Sequence, residues 1–174
     1  MSHPQSAALA AQKRVSWWFH VGSAVLGMIL WSMLMSMSAA LNVMHWENEH
    51  LRGAIIMVFA FGALPAVPVT ILAMGLSARW LPRNGQRFAL AFLLLATLTI
   101  GCTALLFSQI YRLMYVEWHA DSFSRIWFWQ FVFTTASAFY QFAVLGMRLY
   151  FPLGFAALLT FSLWFVRPYG RTAL

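Results

Sequence analysis

Three apolar runs, each too long for the core helix of a small soluble domain, set the terms for this chain. No Asp, Glu, Lys or Arg falls between Trp17 and Val43, between Gly53 and Leu76, or between Phe88 and Ile110. Uncharged apolar runs of 18 or more residues read as transmembrane helices, because a helix needs about 20 residues to cross the hydrocarbon. Composition agrees: 62% of the 174 residues are hydrophobic and 9% are charged, against about 25% charged in soluble domains. The expected class is an all-α integral membrane protein forming a single helical membrane domain over residues 1–174.

The formal net charge of +7 does not point to nucleic acid. A nucleic-acid binder gathers its cations on one polar face, whereas here Lys and Arg stand at the ends of apolar runs, where they fix orientation. The one cysteine, Cys102, lies deep in the third run. It offers no disulfide framework, CxxC pair or thiolate metal site.

In chain order, Met1–Val15 is short and polar and carries Lys13-Arg14. The run after it is too long for a signal-peptide core, so an uncleaved start is expected. The first span is predicted over 17–43, flanked by Trp17, Trp18 and Trp46 at headgroup level. Ser23 and Gly27 allow close helix contact within it. The second span is predicted over 53–76. Gly62, Ala66 and Thr70 recur at four-residue spacing along one of its faces, a small-residue seam suited to a neighbouring helix or a partner. Pro65 and Pro68 predict a kink near its middle. A turn with Arg79, Arg83 and Arg87 precedes a third span over 88–110.

Residues 126–166 are apolar apart from Gln130, Gln141 and Arg148, and are too long for one crossing. Two arrangements are open. In the first, an aromatic helix over 126–140 lies in the interface and a fourth span covers 143–166. In the second, a hairpin turning at Gly146–Pro152 makes five transmembrane helices. With the N-terminus inside, four spans gather Lys13, Arg14, Arg79, Arg83, Arg87, Arg167 and Arg171 on the cytoplasmic side, as the positive-inside rule favours. Four transmembrane helices plus an aromatic interfacial helix is therefore the expected fold. Arg148 then stands near the start of the last helix, where it snorkels to the interface or pairs with an acid of a partner subunit.

Polar chemistry is confined to two stretches on the outer side. Met44–Arg52 holds Glu47 and Glu49, and 117–121 holds Glu117 and Asp121, so the two contain every acid in the chain. They also hold His45, His50 and His119. If the segment after Val43 is helical, His45 and Glu49 share a face. With His50, Glu117, His119 and Asp121 they are then candidate ligands for zinc or another first-row metal, provided the two loops converge. The plainer reading is that such loops are polar to meet water and cap helices, Glu49 also complementing the second helix dipole. His20 has no partner histidine at its depth for haem, and no catalytic set falls within the spans. Tyr111, Tyr115 and Trp118 read as an aromatic belt.

The stretch Trp46, Glu49, Arg52, followed by Gly62-Ala63 inside the helix, resembles the opening of the second span in the small membrane subunit (DctQ-like) of tripartite ATP-independent periplasmic (TRAP) transporters. Leu81-Pro82 with the arginines after it, and Pro152-Leu153-Gly154-Phe155 in the last helix, are similar to further steps of that family. Asn48 stands where the family has the first of two acids, and the usual polar step after the second span is absent, Pro68-Val69-Thr70 being there instead. The resemblance implies a non-catalytic scaffold without a cofactor, in a bacterial inner membrane with both termini cytoplasmic. Its implied partners are a larger permease subunit, a periplasmic solute-binding protein and the lipid bilayer, and organic acids are the implied solutes. Trp46, Glu49, Arg52, Gly62, Ala66, Thr70 and Arg148 become its candidate partner-interface residues. The competing reading is a membrane sensor, assembly or immunity protein whose outer histidines and acids respond to metal or pH.

Overall fold

A computed structural model describes the backbone of residues 4–77 and 80–166, and the side chains of 22–77 and 80–166. The expectations that rest on the side chains of Lys13, Arg14, Trp17, Trp18, His20, Arg79, Arg167 and Arg171 lie outside the described residues. Those described form helices joined by short turns. Helix α1 is Pro4–Val43, α2 Glu49–Ala63, α3 Ala66–Ser77, α4 Asn84–Met114, α5 Arg125–Gln141 and α6 Leu153–Val166.

Helix starts follow local chemistry. Asn48 caps α2, its side-chain oxygen accepting from the Leu51 amide at 3.0 Å. Ser124 caps α5 in the same way, accepting from the Trp127 amide at 3.1 Å. Ahead of α4, the Arg83 amide donates to Gln86 Oε1 at 3.4 Å, and Arg87 Nε donates to the Leu81 carbonyl at 2.7 Å. The expected break in the second run falls between α2 and α3, where Pro65 and Pro68 lack the amides a continuous helix would use. The two pieces still make one apolar stretch from Glu49 to Ser77, 29 residues long.

Up-and-down connection places the α1 C-terminus, the α2 N-terminus and the α4 C-terminus at one end of the bundle, here called the acid-bearing end. The Ser77–Asn84 turn lies at the other. Helix α4 is the hub, packing against α2, α3, α5 and α6. Its contact with α2 is very close: a Cβ placed on Gly62 would lie 2.5 Å from the Cα of Thr103. Ala66 and Thr70 are fully buried within the chain. The small-residue seam Gly62/Ala66/Thr70 thus packs inside the bundle and is not left open for a partner. Trp31 is buried between α4 and α6, donating from Nε1 to Thr99 Oγ1 at 3.0 Å and meeting the Phe161 ring at 4.9 Å. Other polar groups in these contacts, Ser38, Thr103, Ser108 and Ser162, are small hydroxyls, as suits helices that associate by close packing in lipid.

The outer surface of the bundle is apolar. Only 28% of the most apolar windows of α1 and α4 is buried inside the chain, and Leu26, Met33, Met57, Leu72, Leu76 and Leu93 are each more than half exposed. Water would penalise apolar patches on this scale, whereas lipid accepts them. Among the described residues, three helical stretches, 22–43, 49–77 and 84–114, are long and apolar enough to cross a membrane.

Among the described residues, a fourth crossing is available only if α5 and α6 are taken as one broken span, and here the expected boundaries shift. Residues 142–150 do not open the last helix. They prolong α5 through a π turn (Phe142–Gly146) and a 3₁₀ turn (Met147–Tyr150). The chain breaks at Phe151, which is extended at ψ 141°, before Pro152, whose ring disfavours a helical predecessor. Helix α6 therefore starts at Leu153, ten residues beyond the expected 143. The two arms meet at 74°, a bend and not the hairpin that five spans would require.

Candidate functional site

Both polar stretches come to the acid-bearing end, and each builds a different structure there. At the first, α1 stops at Val43, and the Trp46 amide closes a turn on the Val43 carbonyl at 3.0 Å. The Trp46 ring is half-buried against a cluster that includes Ala39, Val43, Val58 and Phe59. Arg52 lies one turn into α2. Its Nη1 donates to the Met44 carbonyl at 3.2 Å and its Nη2 pairs with Glu49 Oε1 at 3.3 Å. The guanidinium thereby holds the loop to the helix it precedes. Glu49 is 85% exposed, so the pair adds about 0–1 kcal/mol to stability, and its carboxylate stays open to another protein.

The proposed metal set does not assemble. The helix ends before His45, so the four-residue spacing of His45 and Glu49 has no shared helical face, and both are exposed, as is His50. Glu117 and Asp121 are exposed on the other loop. Among the described residues, no group of three or more His, Cys, Asp or Glu is placed to hold a metal ion.

His119 has a different use. Its Nδ1 lies 2.6 Å from the Tyr115 carbonyl and its Nε2 3.4 Å from Thr134 Oγ1. A carbonyl only accepts, so Nδ1 carries a proton in that contact. Gln130 ties the same loop to α5: its Oε1 accepts from the Ala120 amide at 2.9 Å and its Nε2 donates to the Trp118 carbonyl at 3.5 Å. Farther along α5, Gln141 Nε2 donates to the Tyr111 hydroxyl at 3.3 Å. These bonds hold α5 beside the end of α4, and an open groove of about 370 Å³ runs between them. The Tyr115 phenol, beside Tyr111, is raised above its ordinary pKa, first by the hydrogen bond and then by the charge of that neighbour.

The pocket was not foreseen from the residues. Tyr111, Tyr115 and Trp118 of the aromatic belt also form one side of it, and Thr134 and Ser137 carry no signal of their own in the sequence. The one available cue was that Gln130 and Gln141 are the only amides in the last apolar run.

Two features lie at the break between α5 and α6. Ser38 Oγ donates to the Leu149 carbonyl at 2.9 Å and accepts from the Gly154 amide at 3.2 Å. Asn42, one turn on, donates from Nδ2 to the Leu149 and Phe151 carbonyls at 3.3 and 2.9 Å. Together they satisfy backbone groups that the broken helix cannot. Beside them an apolar cleft of about 170 Å³ opens between α1, α4 and α6. Arg148 is exposed next to the break and makes no ion pair among the described residues. The chain matches no family model, no curated protein and no solved structure.

Proposed function

We propose that this chain is the small, non-catalytic membrane subunit of a secondary solute transporter of the TRAP kind, scaffolding a larger permease subunit. In this reading it sits in a bacterial inner membrane with its N-terminus in the cytoplasm. It crosses four times, the last crossing being the broken α5–α6 arm, with the aromatic N-terminal half of α5 at the interface. The sequence supports that orientation, since four crossings gather Lys13, Arg14, Arg79, Arg83, Arg87, Arg167 and Arg171 on one side against Arg52, Arg112 and Arg125 on the other. The acid-bearing end then faces the periplasm, where a solute-binding protein docks.

The observation that carries the proposal is the opening of α2. Trp46 is packed into the bundle, Arg52 is tied to the Met44 carbonyl, and Glu49 is left projecting from a rigid helix start. A preformed, exposed carboxylate of this kind suits recognition by a cationic group of a partner. The seam at Gly62, Ala66 and Thr70 serves the chain's own bundle, so partner contact falls to the Trp46–Arg52 corner, Arg148 and the exposed lipid-level faces.

Copurification of a tagged chain with its membrane partner in mild detergent tests the proposal. Glu49→Arg, which replaces the projecting carboxylate by a repelling cation, is expected to reduce recovery of the complex at least severalfold. His45→Ala and His50→Ala are expected to leave recovery unchanged. A stable monomer that supports uptake without any partner would overturn the scaffold role. Stoichiometric zinc lost on His119→Ala, with Glu49→Arg silent, would favour the sensor reading instead.

A further inference from the structure

The pocket between the end of α4 and α5 has a composition that selects its ligand. On α5, Gln130, Phe133, Thr134 and Ser137 follow one helical face at i, i+3, i+4 and i+7. Opposite them stand Tyr111, Tyr115 and Trp118. Four aromatic rings thus border one solvent-open groove, Trp118 and Phe133 being its most exposed, and Tyr111 and Tyr115 are 4.9 Å apart between ring centroids. Among the described residues, no Lys, Arg, Asp or Glu is part of the wall. The nearest basic side chain on α4, Arg112, turns elsewhere: its guanidinium lies 4.1 Å over Phe131, which is off the pocket face, and donates to Gln109. Two carboxylates, Glu117 and Asp121, stand in the same loop as Trp118 and His119.

Most of the polar capacity of the wall is already used. Gln130 is engaged with Ala120 and Trp118, His119 with Tyr115 and Thr134, and Tyr111 with Gln141. A sugar or a phosphate would need those donors and acceptors for itself. A quaternary ammonium needs none of them, since it is held by aromatic faces and by the field of nearby carboxylates. At about 370 Å³ the space admits a trimethylammonium head with room for its substituent. We propose that this pocket binds a quaternary-ammonium group of the choline type. Two sources could supply it, a phosphatidylcholine headgroup or a soluble choline-like solute, since the pocket begins where the apolar run of α4 ends. The assignment is independent of the scaffold role.

Saturation-transfer NMR on the full chain tests it, read as the difference between wild type and Trp118→Ala. Trp118 is 81% exposed, so its removal leaves the fold intact, and circular dichroism verifies this. Choline methyl protons are expected to receive saturation in wild type. Binding is expected to weaken about tenfold in Trp118→Ala and in Tyr115→Ala, and to be largely kept in Trp118→Phe. The neutral isostere 3,3-dimethylbutan-1-ol should bind much more weakly than choline. Equal binding of the isostere, equal saturation in Trp118→Ala, or displacement of choline by maltose would each overturn the proposal. Nanodiscs separate the sources. A choline response abolished by phosphatidylcholine supports the pocket with a lipid ligand, and one unchanged from phosphatidylethanolamine–phosphatidylglycerol discs supports it with a soluble ligand.

Discussion

Replacing Gly62 by alanine is the most incisive test of how this bundle is built. The new Cβ would sit 2.5 Å from the Cα of Thr103, about 1 Å inside the ordinary carbon–carbon contact distance. Because the obstructing atom is backbone, no rotamer change on α4 relieves the clash. Helix α2 must move away from its hub, or both helices must bend. Overpacking of a filled contact costs about 1–3 kcal/mol, and upper values are expected where backbone meets backbone. The internal control is unusually clean: a Cβ on Gly53, Gly75 or Gly101 meets nothing within 4 Å. Alanine at those sites is expected to be neutral, or to stabilise by about 0.5–1 kcal/mol through helix propensity. Thr103→Ala should rescue Gly62→Ala only partly, since it removes the hydroxyl but not the Cα. Reversible unfolding in mixed micelles, followed by circular dichroism, measures all five variants. A Gly62→Ala protein as stable as Gly101→Ala would refute the close α2–α4 contact and the packing argument with it.

Ser38→Ala combined with Asn42→Leu leaves the Leu149 and Phe151 carbonyls and the Gly154 amide without their α1 partners. A loss of about 1–3 kcal/mol is expected, with faster amide exchange at Gly154 as the readout. A reporter fused after Leu174, which keeps Arg167 and Arg171, is expected to be active only in the cytoplasm, and periplasmic activity would remove the four-crossing topology. Gln130→Leu breaks the two bonds between α5 and the 118–120 loop. Limited proteolysis near Trp118 should accelerate severalfold while cleavage elsewhere is unchanged.

Long-range periodic signals were legible in the residues. The three uncharged runs give the apolar stretches of α1, α2–α3 and α4, and Pro65 and Pro68 give the interruption in the second, because chain connectivity and proline geometry are local properties. The Glu49–Arg52 pair was legible for the same reason, being one helical turn apart. What escaped depends on which elements meet. Gly62, Ala66 and Thr70 read equally well as an internal or an external seam, and only the position of Thr103 decides between them. The start of the last helix, expected at 143, lies at Leu153, because residues 142–150 continue α5 with Gly146 packed in a π turn against Phe142, and the break falls at Phe151–Pro152, inside the Gly146–Pro152 turn of the five-span alternative. The metal set failed at its first premise, since Asn48 begins a new helix and separates His45 from Glu49.

The same three polar side chains that break the apolar monotony of the final run explain why its two arms differ. Gln130 and Gln141 fasten α5 to the 118–120 loop and to Tyr111 on α4, while Arg148 is left exposed beside the break. Ser38 and Asn42 fasten the break itself to α1. The first half of the run is thereby held at both ends by directed hydrogen bonds. The second half, α6, packs mainly through apolar and small residues such as Gly154, Ala157, Phe161 and Phe165. In lipid, apolar packing discriminates weakly between helix positions, whereas a hydrogen bond to a specific carbonyl does not slide. The 74° bend is therefore a position fixed from α1 and α4, and it is what stands α5 away from α6 and opens the aromatic pocket against α4. Loosening the Ser38–Asn42 clamp should reach that pocket through the rigid body of α5, even though neither residue touches it.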